Sequence, residues 1–110
     1  SKTYFLSLEP LWGEVDIREW IACVKTKANA GFWCIVGGES GNETGKYRYR
    51  PCNIQWIERI VNDCKSAGVP VFVKQLGTHL AKSMGLKDRH GGNIDEWPYH
   101  LRIREFPLSK

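Results

Sequence analysis

Glu9, Glu39 and Lys74 are the residues of this 110-residue chain whose types and positions best suit catalysis. Each directly follows or closely trails an apolar run: Thr3 to Leu8, Phe32 to Val36, and Val69 to Val73. Two carboxylates that converge can divide general acid and general base work. A lysine ending an apolar strand needs a carboxylate partner, and Glu9 or Glu39 is the natural choice. Such a pair is either a clamp for a substrate carboxylate or phosphate, or a structural ion pair. Gly37, Gly38, Ser40 and Gln75 flank these groups as ligand-binding candidates. The glycines either let a ligand approach the backbone while Glu39 binds a hydroxyl or amine, or form a tight strand-to-loop turn. Glu9, before Pro10, is a second acid in the same mouth or a strand end facing water.

A second constellation is Lys46-Tyr47-Arg48-Tyr49-Arg50, in which cations alternate with tyrosines. That pattern holds a nucleic-acid strand by phosphate contact and base stacking, or it is an exposed loop with one wet face. Metal chemistry has less support. Cys23, Cys34, Cys52 and Cys64 stand at least eleven positions apart with no C-x-x-C pair, so neither a zinc ribbon nor an iron-sulfur loop is written here. They read as small buried apolar residues of a reducing cytoplasm rather than a disulfide framework. His79, His90 and His100 lack metal-ligand spacing and read as lone surface histidines, so no metal is assigned.

The elements that must carry these groups are legible. Thr3 to Leu8 is a β-favouring run closed by Glu9-Pro10. Asp16 stands at an N-cap position before Ile17, Trp20, Ile21 and Val24, spaced for one face of a short helix. Phe32 to Val36 is continuously hydrophobic, the pattern of a central strand covered on both faces. Residues 40–52 form a polar loop. Asn53 caps a long helix whose stripe is Ile54, Ile57, Ile60, Val61 and Cys64, and Gly68 ends it in a left-handed conformation. Val69 to Val73 is the third strand, with Pro70 near its start, and Thr78 to Met84 is a short helix. From Gly85 the pattern becomes an irregular tail, in which Leu101, Ile103 and Phe106 suggest a last edge strand before Pro107.

The expected fold is therefore an α/β domain with a parallel βαβαβ sheet and flanking helices, resembling part of a (β/α) barrel. One domain spans 1–110, with a core over 1–84 and a tail over 85–110. A hydrophobic content of 42% supports one modest core. The net charge of +4 is spread along the chain, which fits a solvated surface. No apolar run approaches the roughly 20 residues of a membrane span, and no signal peptide opens the chain. In a parallel sheet all three polar clusters emerge at the strand C-terminal ends, where such folds place ligands. A sheet this small leaves edges that invite pairing, so a homo-oligomer or a partner chain completing the sheet is expected.

Several ordered segments carry a resemblance: Phe5-Leu6-Ser7-Leu8-Glu9-Pro10-Leu11, Ile35-Val36-Gly37-Gly38-Glu39-Ser40-Gly41, the run Gly68 to Gly77, and Trp97-Pro98 with Arg102 to Pro107. Together they resemble the C-terminal half of the phage Gp37/Gp68 family (DUF5131). The resemblance implies a phage or mobile-element protein of uncharacterised function. It further implies a radical S-adenosylmethionine-like barrel whose N-terminal half carries a three-cysteine motif for a four-iron cluster. A Gly-Gly-Glu of this kind binds the methionine amine in such enzymes. This chain lacks the three-cysteine motif. No cofactor is therefore expected in the chain itself, with S-adenosylmethionine and a 4Fe-4S cluster entering only if that other half is supplied, and the isolated chain is not expected to be catalytic. The competing reading is a non-catalytic binding module for nucleic acid or a protein partner.

Overall fold

Alternating exposure along Thr3–Leu8 defines the first strand, β1, whose odd-numbered side chains face water and whose Tyr4, Leu6 and Leu8 turn inward. The structure is a computed structural model that describes residues 3–27 and 30–107. After β1 come α1 (Arg18–Lys25), β2 (Gly31–Val36), α2 (Ile54–Ala67), β3 (Val71–Val73) and α3 (Thr78–Ser83), then two 3-10 turns at Ile94–Glu96 and Tyr99–Leu101. The expected α/β architecture is present. The strands pair in the order β1-β2-β3, both pairs parallel.

Local chemistry explains the boundaries. Asn53 is extended and its side chain accepts from the Gln55 amide at 2.8 Å, while Gly68 closes α2 at φ 71°. At α1 the expected cap shifts by one residue. Ile17 occupies the N-cap position, and Asp16 accepts instead from the Arg18 amide at 3.0 Å and from its guanidinium at 2.7 Å. The paired Arg18 holds the Asp16 carboxyl well below the usual carboxylate range. The third strand is shorter than its apolar run, since pairing begins at Val71, after Pro70.

Register decides what each face of the sheet carries. Leu6 lies opposite Cys34 and Leu8 opposite Val36, while Cys34 and Val36 lie opposite Val71 and Val73. These residues join Ile21 of α1 and Ile57, Ile60, Val61 and Cys64 of α2 in one core. Two parallel crossovers of the same right hand, stepping in the same direction, put both helices on this one side. Phe5, Ser7, Trp33, Ile35 and Phe72 occupy the alternate face and take no part in that core. The expectation that β2 is covered on both faces holds fully for one face, the one the flanking helices pack on. Its second face is half-buried, and among the described residues it is the C-terminal tail that shelters it.

That tail does not form the expected edge strand. It makes a single antiparallel bridge, Phe72 with Arg104, backed by Val73 N–H to Ile103 O at 3.0 Å and Glu105 N–H to Val71 O at 2.9 Å. Trp33 Nε1–H donates to Glu105 O at 2.8 Å, and the Phe106 ring packs 5.4 Å from that of Phe72. Arg102, with donors to Trp97 O and Asp95 O, and the Glu105 carboxylate, which accepts from Val71 N–H, keep the segment from pairing further. Among the described residues no strand pairs with the other edge of β1. No helix there is long and apolar enough to cross a membrane.

The two sides of the sheet should respond unequally to substitution. In urea denaturation Ile57→Ala, in the core, is expected to cost about 2–5 kcal/mol. Phe5→Thr, which keeps β propensity at a site that is 64% exposed, should stay within about 0.5 kcal/mol. Equal losses would contradict the one-sided core.

Candidate functional site at the strand C-terminal ends

The hydrogen bonds of the sheet continue past the strands and lace their polar ends together. Gly37 N–H donates to Leu8 O at 3.2 Å, Gly38 N–H to Gln75 O at 3.1 Å, and Lys74 N–H to Val36 O at 2.9 Å. The Gln75 amide then bridges two strand ends, donating to Gly38 O at 2.6 Å and to Glu9 Oε1 at 3.1 Å. Lys74 Nζ lies 3.6 Å from the same Glu9 oxygen. Of the two residues that follow β3, Gln75 therefore points into the laced junction, and Lys74 remains largely exposed at its rim.

Glu9, Lys74 and Gln75 thus come together as one group. Glu39 is placed differently. Its Oε1 accepts from the Arg50 backbone N–H at 2.7 Å, and among the described residues no hydrogen bond or ion pair joins it to Glu9 or Lys74. Gly37 and Gly38 are both buried. A Cβ on Gly38 would stand 2.0 Å from Leu76 O, and one on Gly37 would stand 2.9 Å from Gln75 Nε2. Close packing, on backbone at Gly38 and on Gln75 at Gly37, therefore accounts for the glycine pair. Ser40 is exposed just beyond it.

On the open face below this rim lies a cavity of about 400 Å³ walled by Trp33, Ile35 and Phe72 and edged by Ser7, Glu9 and Lys74. Arg104 also reaches it, a residue the sequence reading did not single out as functional. Its guanidinium donates to Val73 O at 3.0 Å and Lys74 O at 2.7 Å, and lies 5.3 Å from the centre of the Phe72 ring. It thereby satisfies carbonyls at the end of β3 and brings a second cation to the rim. Alternation of Arg104 with Ile103 was the available signal, but its target lies 30 residues earlier in the chain. The group offers one carboxylate, two cations, a hydroxyl and an apolar wall. That combination can orient a small ligand with a charged end and a flat or apolar body.

Elsewhere, Lys46 and Tyr47 are exposed at the tip of the second constellation, Arg48 and Arg50 are exposed on its flank, and Tyr49 is half-buried. His79 is not a free surface histidine. Its ring Nδ1 lies 3.1 Å from Cys52 N and 2.9 Å from Cys52 O. His100 Nε2 lies 2.5 Å from Glu58 Oε2, and His90 Nδ1 lies 3.4 Å from Thr78 Oγ1.

The cysteines do not fit an iron-sulfur cluster. Cys34 and Cys64 are buried in the core, Cys52 is buried before α2, and Cys23 is exposed on α1, contrary to the expectation that all four are buried. A hydrogen bond with Cys34, then burial, pushes the Cys64 thiol up, and burial pushes Cys52 up to about 11. Raised thiols favour neutral packing groups over metal ligands. Among the described residues no group of three His, Cys, Asp or Glu side chains could hold a metal ion.

The sequence model of the family described as "Protein of unknown function (DUF5131)" matches residues 1–100. Comparison with curated proteins and with solved structures finds no match.

Two predictions concern the backbone beneath the site. Gly38→Ala is expected to cost more than about 3 kcal/mol or prevent folding, because its clash is with backbone. Gly13→Ala, with nothing within 4 Å of its added Cβ, should stay within about 1 kcal/mol. Asp88 accepts from His90 N–H and Gly92 N–H, each at 3.0 Å, and ties down the turn whose carbonyls receive Leu76 N–H and Gly77 N–H. The bond from His90 N–H chiefly lowers its pKa from the ordinary 3.8. A depressed folded-state pKa contributes stability that is complete above the unfolded value and lost as pH falls through the folded one. The stability gap between wild type and Asp88→Asn should thus close on acidification below pH 3.8, read by thermal melts across pH.

Proposed function

The chain belongs to the DUF5131 family, and from that premise we propose that it forms one wall of a barrel-type ligand site, incomplete by itself. The observation that carries this reading is the asymmetry of the sheet. Both helices α1 and α2 pack on one face, while the other presents Trp33, Ile35 and Phe72 beneath a charged rim of Glu9 and Lys74. A segment of a (β/α) barrel has this arrangement, with helices outside, apolar side chains lining the interior and chemistry at the C-terminal rim. A doubly wound sheet would carry helices on both faces.

In this reading the unpaired edge of β1 receives a strand from a partner chain, a second copy or a further segment of polypeptide, and the ligand is enclosed only then. Lys74 clamps a ligand carboxylate or phosphate, Glu9 accepts from an amine or hydroxyl and holds or removes a proton there, and Gln75 fixes Glu9. Glu39, occupied with Arg50, supports the loop that closes the mouth. The chain alone is not catalytic. The resemblance to radical S-adenosylmethionine enzymes and to proteins of phages and mobile elements extends this reading. A cluster in such an assembly would be held by the completing half, since the thiols here do not fit it. Buried free thiols suit a reducing compartment and support a cytoplasmic location.

S-adenosylmethionine is a suitable probe, with a zwitterionic end and a flat ring. Titrated to about 5 mM against the labelled chain, weak binding of the class expected for an open half-site should shift the Trp33 indole and Lys74 and Gln75 amide resonances in NMR spectra. Glu9→Gln and Lys74→Met should each weaken those shifts at least fivefold. Absence of any shift in the wild type, or shifts confined to residues outside this rim, would remove the reading for the isolated chain.

A further inference from the structure

Beside the base of the 42–50 loop is a second cavity, about 380 Å³, lined by Arg48, Tyr49, Arg50, Pro51 and His79. Its position is fixed from both ends. Glu39 accepts from Arg50 N–H, Gly41 N–H donates to Thr78 Oγ1 at 3.1 Å, and His79 Nδ1 is committed to the Cys52 backbone. Asn42 closes the loop on itself, donating to Tyr47 O at 2.7 Å and accepting from Tyr49 N–H at 3.2 Å.

The charges around this cavity are cationic and largely uncommitted. Among the described residues neither the Arg48 nor the Arg50 guanidinium makes an ion pair or side-chain hydrogen bond. Arg50 lies over the Trp12 ring, 3.8 Å from its centroid. Stacking of this kind uses the guanidinium face and leaves its in-plane N–H groups free for an anion. The neighbouring carboxylates are engaged: Glu43 with Lys82, which lowers its pKa, and Glu39 with the Arg50 amide. With Nδ1 tied to Cys52, His79 keeps Nε2 without a partner among the described residues. Beside these groups Tyr47 is 70% exposed, with Lys46 Nζ 5.6 Å from its ring centroid.

We infer that this cavity seats a backbone phosphate of single-stranded nucleic acid between Arg48 and Arg50, with His79 beside it and an unstacked base on Tyr47. Two free guanidiniums and an imidazole suit a phosphate oxygen set. The exposed tyrosine is what separates a single strand from a duplex, whose bases offer no free faces. This site uses none of the groups at the strand-end rim, Glu39 being its support rather than a rim group, and stands independently of the ligand proposed there.

Fluorescence anisotropy of an end-labelled ten-nucleotide thymidine strand, titrated with the full chain at low salt, tests this. Arg48→Gln and Arg50→Gln should each weaken binding about five- to tenfold and reduce the salt slope by about 0.7. Tyr47→Ala should weaken binding with the slope unchanged. Lys65→Gln serves as the charge control, because it lies about 18 Å along α2 from Asn53 at 1.5 Å per residue; it should stay within about twofold. A Lys65→Gln loss equal to those of the arginines would show diffuse attraction and overturn the site. So would no binding by about 100 μM chain, the weak limit of the range typical of nonspecific contact. Displacement of the strand by thymidine monophosphate or inorganic phosphate at equal concentration would overturn the strand assignment in favour of a free-phosphate pocket.

Discussion

The strand-end architecture rests on the close approach of two backbones. Gly38 lies against Leu76 and Gly77, and Gly77, at φ 92°, lies in turn against Gly38 and Glu39. Gly91, at φ 66°, packs on Gly77 from the other side, where an added Cβ would stand 3.0 Å from both Gly77 N and Gly77 O. No side chain fits between these three segments. Because the loops after β2 and β3 and the turn at 88–92 touch through backbone, they can exchange main-chain hydrogen bonds. Those bonds set the Gln75 amide between Gly38 O and Glu9. The position of Glu9 relative to Lys74 is therefore a consequence of glycine packing.

The same constraint distributes polarity over the sheet. Laced at their C-terminal ends, the strands hold a parallel register in which Leu6, Cys34 and Val71 share one face and Phe5, Trp33 and Phe72 the other. α2 is long enough to cover the first face of β2 and β3. Among the described residues the second face is met by the tail, through the Trp33–Glu105 hydrogen bond and the Phe72–Phe106 contact. Phe106 remains 66% exposed and Phe5 64% exposed, so apolar surface persists on a face bounded by ions. Burying it would add stabilisation of roughly 25 cal/mol for each Å² removed from water. This gives a physical reason for a wall to be completed by further chain.

Helical periodicity and turn chemistry made much of this readable in the sequence. Asn53 and Gly68 bracket α2 because capping depends on neighbours only a few residues away. Parallel strands were legible from continuous apolar runs with helical patterns between them. The second cover on β2 was not, because an apolar run shows that both faces avoid water but not what meets each one. Asp16 illustrates a local competition, since Arg18 follows closely enough to take its carboxylate with a guanidinium as well as an amide. At the site, pairing of Lys74 with Glu9 was one of two options in the sequence. The choice depends on which way the β2 loop turns, and burial of Gly38 turns Glu39 toward Arg50. Arg104 and His79 were missed as functional groups because their partners lie far off in sequence, at Lys74 and Cys52.

The rim and the loop cavity share a foundation while differing in charge. At the rim, Glu9 offsets Lys74, and Arg104 spends its donors on strand carbonyls, which leaves a mixed site suited to ligands bearing both signs. At the loop, the carboxylates are drawn away by Lys82 and by a backbone amide, which leaves cations exposed and suits polyanions. The link between them is Glu39: its backbone carbonyl accepts from Thr78 N–H at the start of α3, and its carboxylate holds Arg50. Thr78 is itself buried and holds Gly41 through its hydroxyl. A shift in the β2–β3 loop junction must therefore move the loop base with it.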